Sequence, residues 1–357
     1  MAALNQYRTL GASGLRVSPI CLGTMLFGPR GTSEPEANRQ LDAYAGKGGN
    51  FVDTAIMYGA GASEEIVGRA LKGRRDKFVV STKFSFMFRE GDANSGGNAR
   101  RNIVQSIETS LKRLQTDYID LYYLHFWDGR TKIEETMRAL DDAVRAGKIL
   151  YLACSNIPAW KVAEANTFAR ANGLTPFSAY QGQYNLVERT CERDIIPMGM
   201  EHGVTLVPYS PLAQGLLSGK YSRADAGPPA DGPGDGTRKS MLQRLGHINE
   251  RSLAIIDTVN AVAKENKCTP SQVALAWILT RPGRPLPVIG ARTFEHYQDN
   301  IGCLDVDLNE DQLARLEKVS AFDLGYPHQL LSNARFTVNM GDAGVHIEGG
   351  WRERSMK

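Results

Sequence analysis

The 357-residue chain predicts an α/β fold: a parallel (β/α)8 TIM barrel, plugged by an N-terminal β-hairpin and carrying long loops at its C-terminal mouth. Two observations support this. Short apolar runs alternate along the chain with segments of helical periodicity, eight strand-like runs in all. Four chemically distinct residues, Asp53, Tyr58, Lys83 and His125, also fall at or just past the ends of three successive runs. In a parallel barrel those ends share one face, so an acid, a phenol, an amine and an imidazole would converge there.

The hairpin spans Tyr7 to Val17, with Gly and Ser supplying the turn. The expected strands are Ile20 to Gly23, Gly49 to Asp53, Phe78 to Lys83, Ile119 to His125, Leu150 to Ser155, Ala179 to Gln181, Thr205 to Tyr209 and Pro287 to Ile289. Helices follow from Glu34 to Lys47, opened by Ser33-Glu34-Pro35-Glu36 as a capping box, and from Glu64 to Leu71. From Ala99 to Leu114, Ile103, Ile107, Leu111 and Leu114 recur at helical spacing. Further helices run from Ile133 to Ala146, from near Pro158 as a first-turn proline, and from Glu192 to His202. The stretch from Asp225 to Lys239, rich in Gly, Pro and Asp, suits neither helix nor strand and reads as an excursion over the mouth. One domain covering residues 1–357 is expected, with its core at about 7–320 and a weakly periodic tail from 321 to 357 bearing Tyr326, Phe336 and Trp351.

Composition excludes several function classes. The formal charge of +3 is spread over 42 basic and 39 acidic residues with no basic block, which argues against nucleic acid or an anionic membrane surface. Apolar runs are strand-sized, well short of the roughly 18 residues of a membrane span. The N-terminus shows no secretory pattern. Five scattered cysteines, Cys21, Cys154, Cys191, Cys268 and Cys303, point to reduced thiols and a cytoplasmic protein, and the six histidines lack paired metal-ligand spacing, so no metal is expected. A monomer or small homo-oligomer is expected.

The four convergent residues suit proton donation. A free phenol has a pKa of about 10, and a neighbouring cation lowers it by stabilising the phenolate. Lys83 would supply that cation, Asp53 would hold it, and His125 would bond a substrate carbonyl. No Ser or Cys stands in a triad-like setting, so the attacking species must come from outside the chain, and a nicotinamide hydride fits. Two glycine-rich segments fall short of phosphate-binding motifs. Gly59-Ala60-Gly61-Ala62-Ser63-Glu64 lacks the third dinucleotide-loop glycine, and Gly215 to Tyr221 is one residue short of a P-loop.

The segment Asp53-Thr54-Ala55-Ile56-Met57-Tyr58-Gly59, followed by Ser63-Glu64-Glu65 and joined with Lys83 and His125, resembles the aldo-keto reductases from about Tyr7 to about Ser320. The resemblance implies a catalytic tetrad: Tyr58 as general acid, Lys83 and Asp53 as its tuning pair, and His125 orienting the carbonyl. It also implies NADPH/NADP+ as cofactor. Ser155, Asn156 and Gln181 match the carboxamide-binding set, whose amide side chains offer donor and acceptor together. Val207 to Lys220 resembles the nucleotide loop, with Tyr209 stacking on the nicotinamide and Ser210, Pro211, Leu212, Gln214, Gly215 and Lys220 toward the pyrophosphate. Ile289 to Asn300 resembles the adenosine-side loop, through Ile289, Gly290, Arg292, His296, Asp299 and Asn300, with His296 standing where relatives usually carry Gln or Arg. Gly23, Thr24 and Met25 complete the cofactor set. In the family the stretch around Asp225 to Lys239 often covers the cofactor, and tails help line the substrate pocket.

Leu121 to Asp128, with the Val144 to Lys148 and Trp160 regions, looks closest to the aryl-alcohol dehydrogenase and polyketide-ketone reductase branch. Phe27, Met57, Phe126 and Trp127 follow strand ends and would form an apolar wall for a ring-bearing carbonyl. The resemblance leaves a second reading, a cofactor-bound regulatory subunit of the potassium-channel beta type. Several such subunits gate with a long N-terminal segment, whereas this chain starts almost directly at the hairpin.

Overall fold

The computed structural model describes residues 3–29, 31–225 and 237–331. Strands β1 (Arg8–Thr9) and β2 (Arg16–Val17) form the antiparallel hairpin. Eight parallel strands then follow: β3 (Cys21–Gly23), β4 (Phe51–Asp53), β5 (Val79–Phe84), β6 (Ile119–Leu124), β7 (Ile149–Ser155), β8 (Phe177–Gln183), β9 (Thr205–Tyr209) and β10 (Val288–Ile289). Their order in the sheet is β10-β3-β4-β5-β6-β7-β8-β9. The Leu286 N–H reaches the Leu206 carbonyl at 3.0 Å, bringing the two edges together into a nearly closed (β/α)8 TIM barrel.

The intervening helices are α1 (Glu34–Gly46), α2 (Ala62–Ala70), α3 (Arg100–Leu114), α4 (Ile133–Arg145), α5 (Ala159–Ala171) and α6 (Ile195–His202). After β9 come α7 (Arg238–Arg244), α8 (Glu250–Glu265), α9 (Pro270–Leu279), α10 (Phe294–Ile301), α11 (Glu310–Ser320) and the short α12 (His328–Leu331).

Two apolar layers result from the period-two alternation of the strands. Cys21, Phe51, Val79, Leu121, Tyr123, Ala153, Ala179 and Val207 fill the barrel, joined by Leu10 and Val17 of the hairpin, both fully buried. Alternate residues such as Val52, Val80, Tyr122 and Leu124 pack outward against the helices.

Several sequence expectations need correction. Ser33 is the N-cap of α1 but forms no capping bond with its side chain. Glu36 instead accepts the Phe294 N–H at the start of α10, where the helix dipole favours a carboxylate. Pro158 occupies the N-cap of α5, not its first turn. The helix expected from Glu192 begins at Ile195, after a single 3₁₀ turn at Thr190–Glu192. In the Asp225 to Lys239 stretch, Asp225 ends a 3₁₀ turn, Arg238 and Lys239 open α7, and residues 226–236 lie outside the described residues. Of the tail aromatics, Tyr326 is exposed, while Phe336 and Trp351 lie outside the described residues.

Candidate active site

Adjacent parallel strands bring the four residues together. Asp53 ends β4 in register with Ser81 of β5, so Lys83, two residues on, lies on the same inward face one step nearer the mouth. Lys83 Nζ donates to Asp53 Oδ2 at 2.5 Å, to the Thr54 carbonyl at 2.7 Å and to Tyr58 Oη at 3.4 Å. Both ends of this ion pair are buried, with Lys83 0% and Asp53 2% exposed. The other carboxylate oxygen accepts from Ser81 Oγ at 2.7 Å and Gln181 Nε2 at 3.1 Å, so the whole group is bonded.

Tyr58 rides on a tight turn in which Gly59, Ala60 and Gly61 all have positive φ. Arg113 of α3 holds that turn from below, donating to the Ile56 carbonyl at 2.8 Å and to buried Glu64 at 3.2 Å. Gly61 has φ 104°, a conformation that side chains rarely adopt, and a Cβ there would lie 2.4 Å from the Arg113 guanidinium carbon, so any other residue is strained. His125 follows β6 and meets Tyr58 edge-on, ring centroids 6.1 Å apart. Its buried Nδ1 has no partner among the described residues.

Burial dominates the titration of these groups. It pushes the Tyr58 phenol above its ordinary value, against the opposing pull of Lys83. The expected lowering by the cation is therefore outweighed, and the phenol keeps its proton at neutral pH. Burial also disfavours the Lys83 ammonium, but Asp53 and Tyr58 together hold its pKa above the usual lysine value. Burial, helped by Lys83, pulls His125 down to about 3, so its imidazole is neutral.

On the far side of the mouth, Ser155 ends β7 and Gln181 lies in β8, both buried. Asn156, at φ 52°, donates to the His125 carbonyl at 3.1 Å and to Ser155 Oγ at 2.9 Å, and it accepts from Tyr209 Oη at 3.1 Å. These residues thus join the four in one network. The loop after β9 is irregular: Ser210, Ala213 and Gln214 have positive φ, and Asn185 Nδ2 pins the Ser210 carbonyl at 3.0 Å. Pro211 is buried, Leu212 and Gly215 are half-buried, and Lys220 is exposed.

Gly23 ends β3 beside Ile289 and Gly290, with the exposed Met25 next to buried Thr24. Arg292 and His296 are exposed at the start of α10, whose first amides are already taken by Glu36 and by the Thr293 hydroxyl. Asp299 turns away to accept from Thr269 and Gln272, and Asn300 is buried. Neither Lys220 nor Arg292 forms an ion pair among the described residues.

The aromatic residues divide. Met57 and Phe126 stand exposed at the mouth. Phe27 is buried in the outer core, and Trp127 packs against that core and edge-on against Trp160 at 5.7 Å, with Lys161 over both rings. Sequence reasoning missed Phe86, which meets His125 at 4.9 Å and Phe126 at 5.1 Å. It also missed a groove of about 420 Å³ bounded by Asn156, Gln183, Tyr209, Glu188 and Arg193. Phe86 lies in the loop after β5, and the groove joins the ends of β8 and β9 to loop residues distant in sequence.

Among the described residues, no group of three or more His, Cys, Asp or Glu side chains could hold a metal ion, and no helix is long and apolar enough to cross a membrane. A sequence profile of the Aldo/keto reductase family matches residues 19–321. The chain is 40% identical to norsolorinic acid reductase B of Dothistroma septosporum over 344 residues, covering 92% of this chain and 85% of that protein. An aryl-alcohol dehydrogenase of Pestalotiopsis microspora is also 40% identical, over 341 residues and the same shares. Aryl-alcohol dehydrogenase [NADP(+)] of Phanerodontia chrysosporium is 36% identical over 351 residues, covering 92% of this chain and 90% of that protein. With the barrel, its hairpin and these extents of match, the chain belongs to the aldo/keto reductase family of oxidoreductases.

Proposed function

We propose that this protein reduces an aldehyde or ketone to the alcohol with NADPH, that Tyr58 is the general acid, and that its substrates carry a ring. The observation that carries the reading is the protonated Tyr58 phenol 3.4 Å from a fully buried Lys83 ammonium that Asp53 holds at 2.5 Å.

The chain's own groups suit such a cofactor. Asn156 is oriented by three side-chain bonds beside Tyr209, and two exposed cations, Lys220 and Arg292, flank the mouth for an anionic nucleotide. Ser155, Asn156 and Gln181 would hold the carboxamide, Tyr209 the ring, and the loop to Lys220 the pyrophosphate. Gly23, Thr24 and Met25 would border the cofactor, and Ile289, Gly290, Arg292, His296, Asp299 and Asn300 would form the adenosine side. When bound, the nicotinamide supplies the hydride. Tyr58 gives its proton to the carbonyl oxygen, and Lys83 stabilises the phenolate left behind. Asp53 keeps the ammonium charged and in place. A neutral His125 offers a hydrogen bond to the carbonyl without adding a second positive charge beside Lys83.

The exposed Met57 and Phe126, the latter backed by Phe86, support a ring-bearing substrate, and the similarity to two aryl-alcohol dehydrogenases agrees with it. Following NADPH absorbance with aryl aldehydes, cyclic ketones and glyceraldehyde tests the reading. Higher kcat/KM is expected for the ring compounds. Equal or better efficiency with glyceraldehyde removes the apolar wall, and absence of turnover with every carbonyl removes the reductase reading itself.

A further inference from the structure

We propose that Asn98, in the loop between β5 and α3, is a positioning residue for His125 and acts through Ser85. The inference rests on the reading of His125 as the carbonyl-orienting group. Asn98 ends the loop between β5 and α3 and is 1% exposed. Its Oδ1 accepts the Ser85 hydroxyl proton at 2.8 Å, and its Nδ2 donates to the Phe126 carbonyl at 3.0 Å.

A hydroxyl has one proton. With that proton committed to Asn98, Ser85 Oγ turns its lone pairs toward the N–H groups of His125 and Phe126, at 3.2 and 3.3 Å. Asn98 and Ser85 therefore grip the peptide groups on both sides of Phe126, immediately after the residue that carries the imidazole. Ser85 has φ 92°, a conformation side chains rarely adopt, and its carbonyl is held by the Gly97 N–H at 2.8 Å. Gly97 has φ 78°, and a Cβ there would lie 3.0 Å from Asp128 Oδ2.

A purely structural role would place the Asn98 amide at the start of α3, but other bonds do that work. The Asn98 backbone N–H donates to Asp128 Oδ2 at 2.8 Å, and Asn102 Nδ2 donates to the Gly97 carbonyl at 2.7 Å. Among the described residues the Asn98 side chain hydrogen-bonds only to Ser85 and Phe126, so its truncation cuts the tether and spares the bonds that hold the helix start.

The test is a double-mutant cycle on the full-length protein, using Asn98→Ala, His125→Ala and both together. Steady-state rates with an aryl aldehyde, NADPH affinity by fluorescence and thermal midpoints are read for each. Asn98→Ala should lower carbonyl kcat/KM about tenfold or more, as displacement of a positioned group does. NADPH affinity should stay within about twofold, and in the His125→Ala background the same change should cost less than about twofold more, because contacting groups are not additive. An equal factor in both backgrounds, or no loss at all, overturns the tether. If His125→Ala alone keeps the parent rate, the role of His125 falls, and the tether with it. If Asn98→Ala does not fold, Ser85→Ala removes the shared hydroxyl and is read in the same cycle with the same expected outcomes.

Discussion

The two sides of the barrel mouth are built differently. Where β4, β5 and β6 end, every polar atom of the Asp53–Lys83 pair is buried and bonded, and the side chains sit on regular strands. Where β9 and β10 end, the candidate cofactor groups follow on loops and at a helix start, and Lys220, Arg292 and His296 stand in solvent. The first arrangement suits chemistry, since charges withdrawn from water act strongly and a fixed geometry costs no reorganisation. The second suits capture of a soluble anion, since exposed cations attract at a distance and give up little hydration beforehand. Substitutions on the first side should therefore change turnover, and those on the second should change cofactor affinity.

The largest effect is expected from Tyr58→Phe, which keeps the ring and removes only the proton. Turnover should fall roughly 100- to 10,000-fold, with NADPH binding by fluorescence nearly intact. A variant retaining more than half the parent rate would take Tyr58 out of the acid role. Next comes Arg292→Ala on the exposed side, which should raise KM for NADPH about tenfold or more, as bonds to a charged group contribute roughly 1.5 to 3 kcal/mol. NADH kinetics should hardly move. Equal weakening of both cofactors would mean that Arg292 maintains the loop and does not read the 2′-phosphate.

The smallest expected effect is a null one. His125 titrates at about 3 instead of the ordinary 6.5. It therefore stays neutral as pH falls through 6.5, and kcat/KM should show no acid limb there. Stability behaves differently: between those two values the unfolded chain binds a proton that the folded chain does not, so stability is unaffected above about 6.5 and declines as pH falls toward about 3. A limb near 6.5 that disappears in His125→Gln would break the claim that burial keeps the imidazole neutral.

The same contrast explains what the sequence disclosed. Asp53, Lys83 and His125 were legible because strand period and strand ends fix where inward residues emerge, and Tyr58 followed from its neighbours. The direction of the Tyr58 shift was not legible, because burial depends on the packing of several elements and pairwise reasoning favoured Lys83. Ser85, Phe86 and Asn98 were invisible for a related reason: loop residues have no period, and their partners lie some 13 to 41 positions away. Helices α8, α9 and α11 were missed although Asn249 with Ser252, Thr269 with Gln272 and Asn309 with Gln312 each close a capping box. At Ser33 the same pattern misled, since a tertiary partner drew Glu36 away.

The buried pair also limits how this barrel can change over time. Replacing either Asp53 or Lys83 alone strands its partner's charge in the interior, a loss of about 3 to 5 kcal/mol from a total stability of roughly 5 to 15 kcal/mol. Single substitutions at either position thus lead to a poorly folded intermediate. Drift at the two sites must occur jointly, and a lineage that abandoned the chemistry would still carry the pair long after losing the need for it.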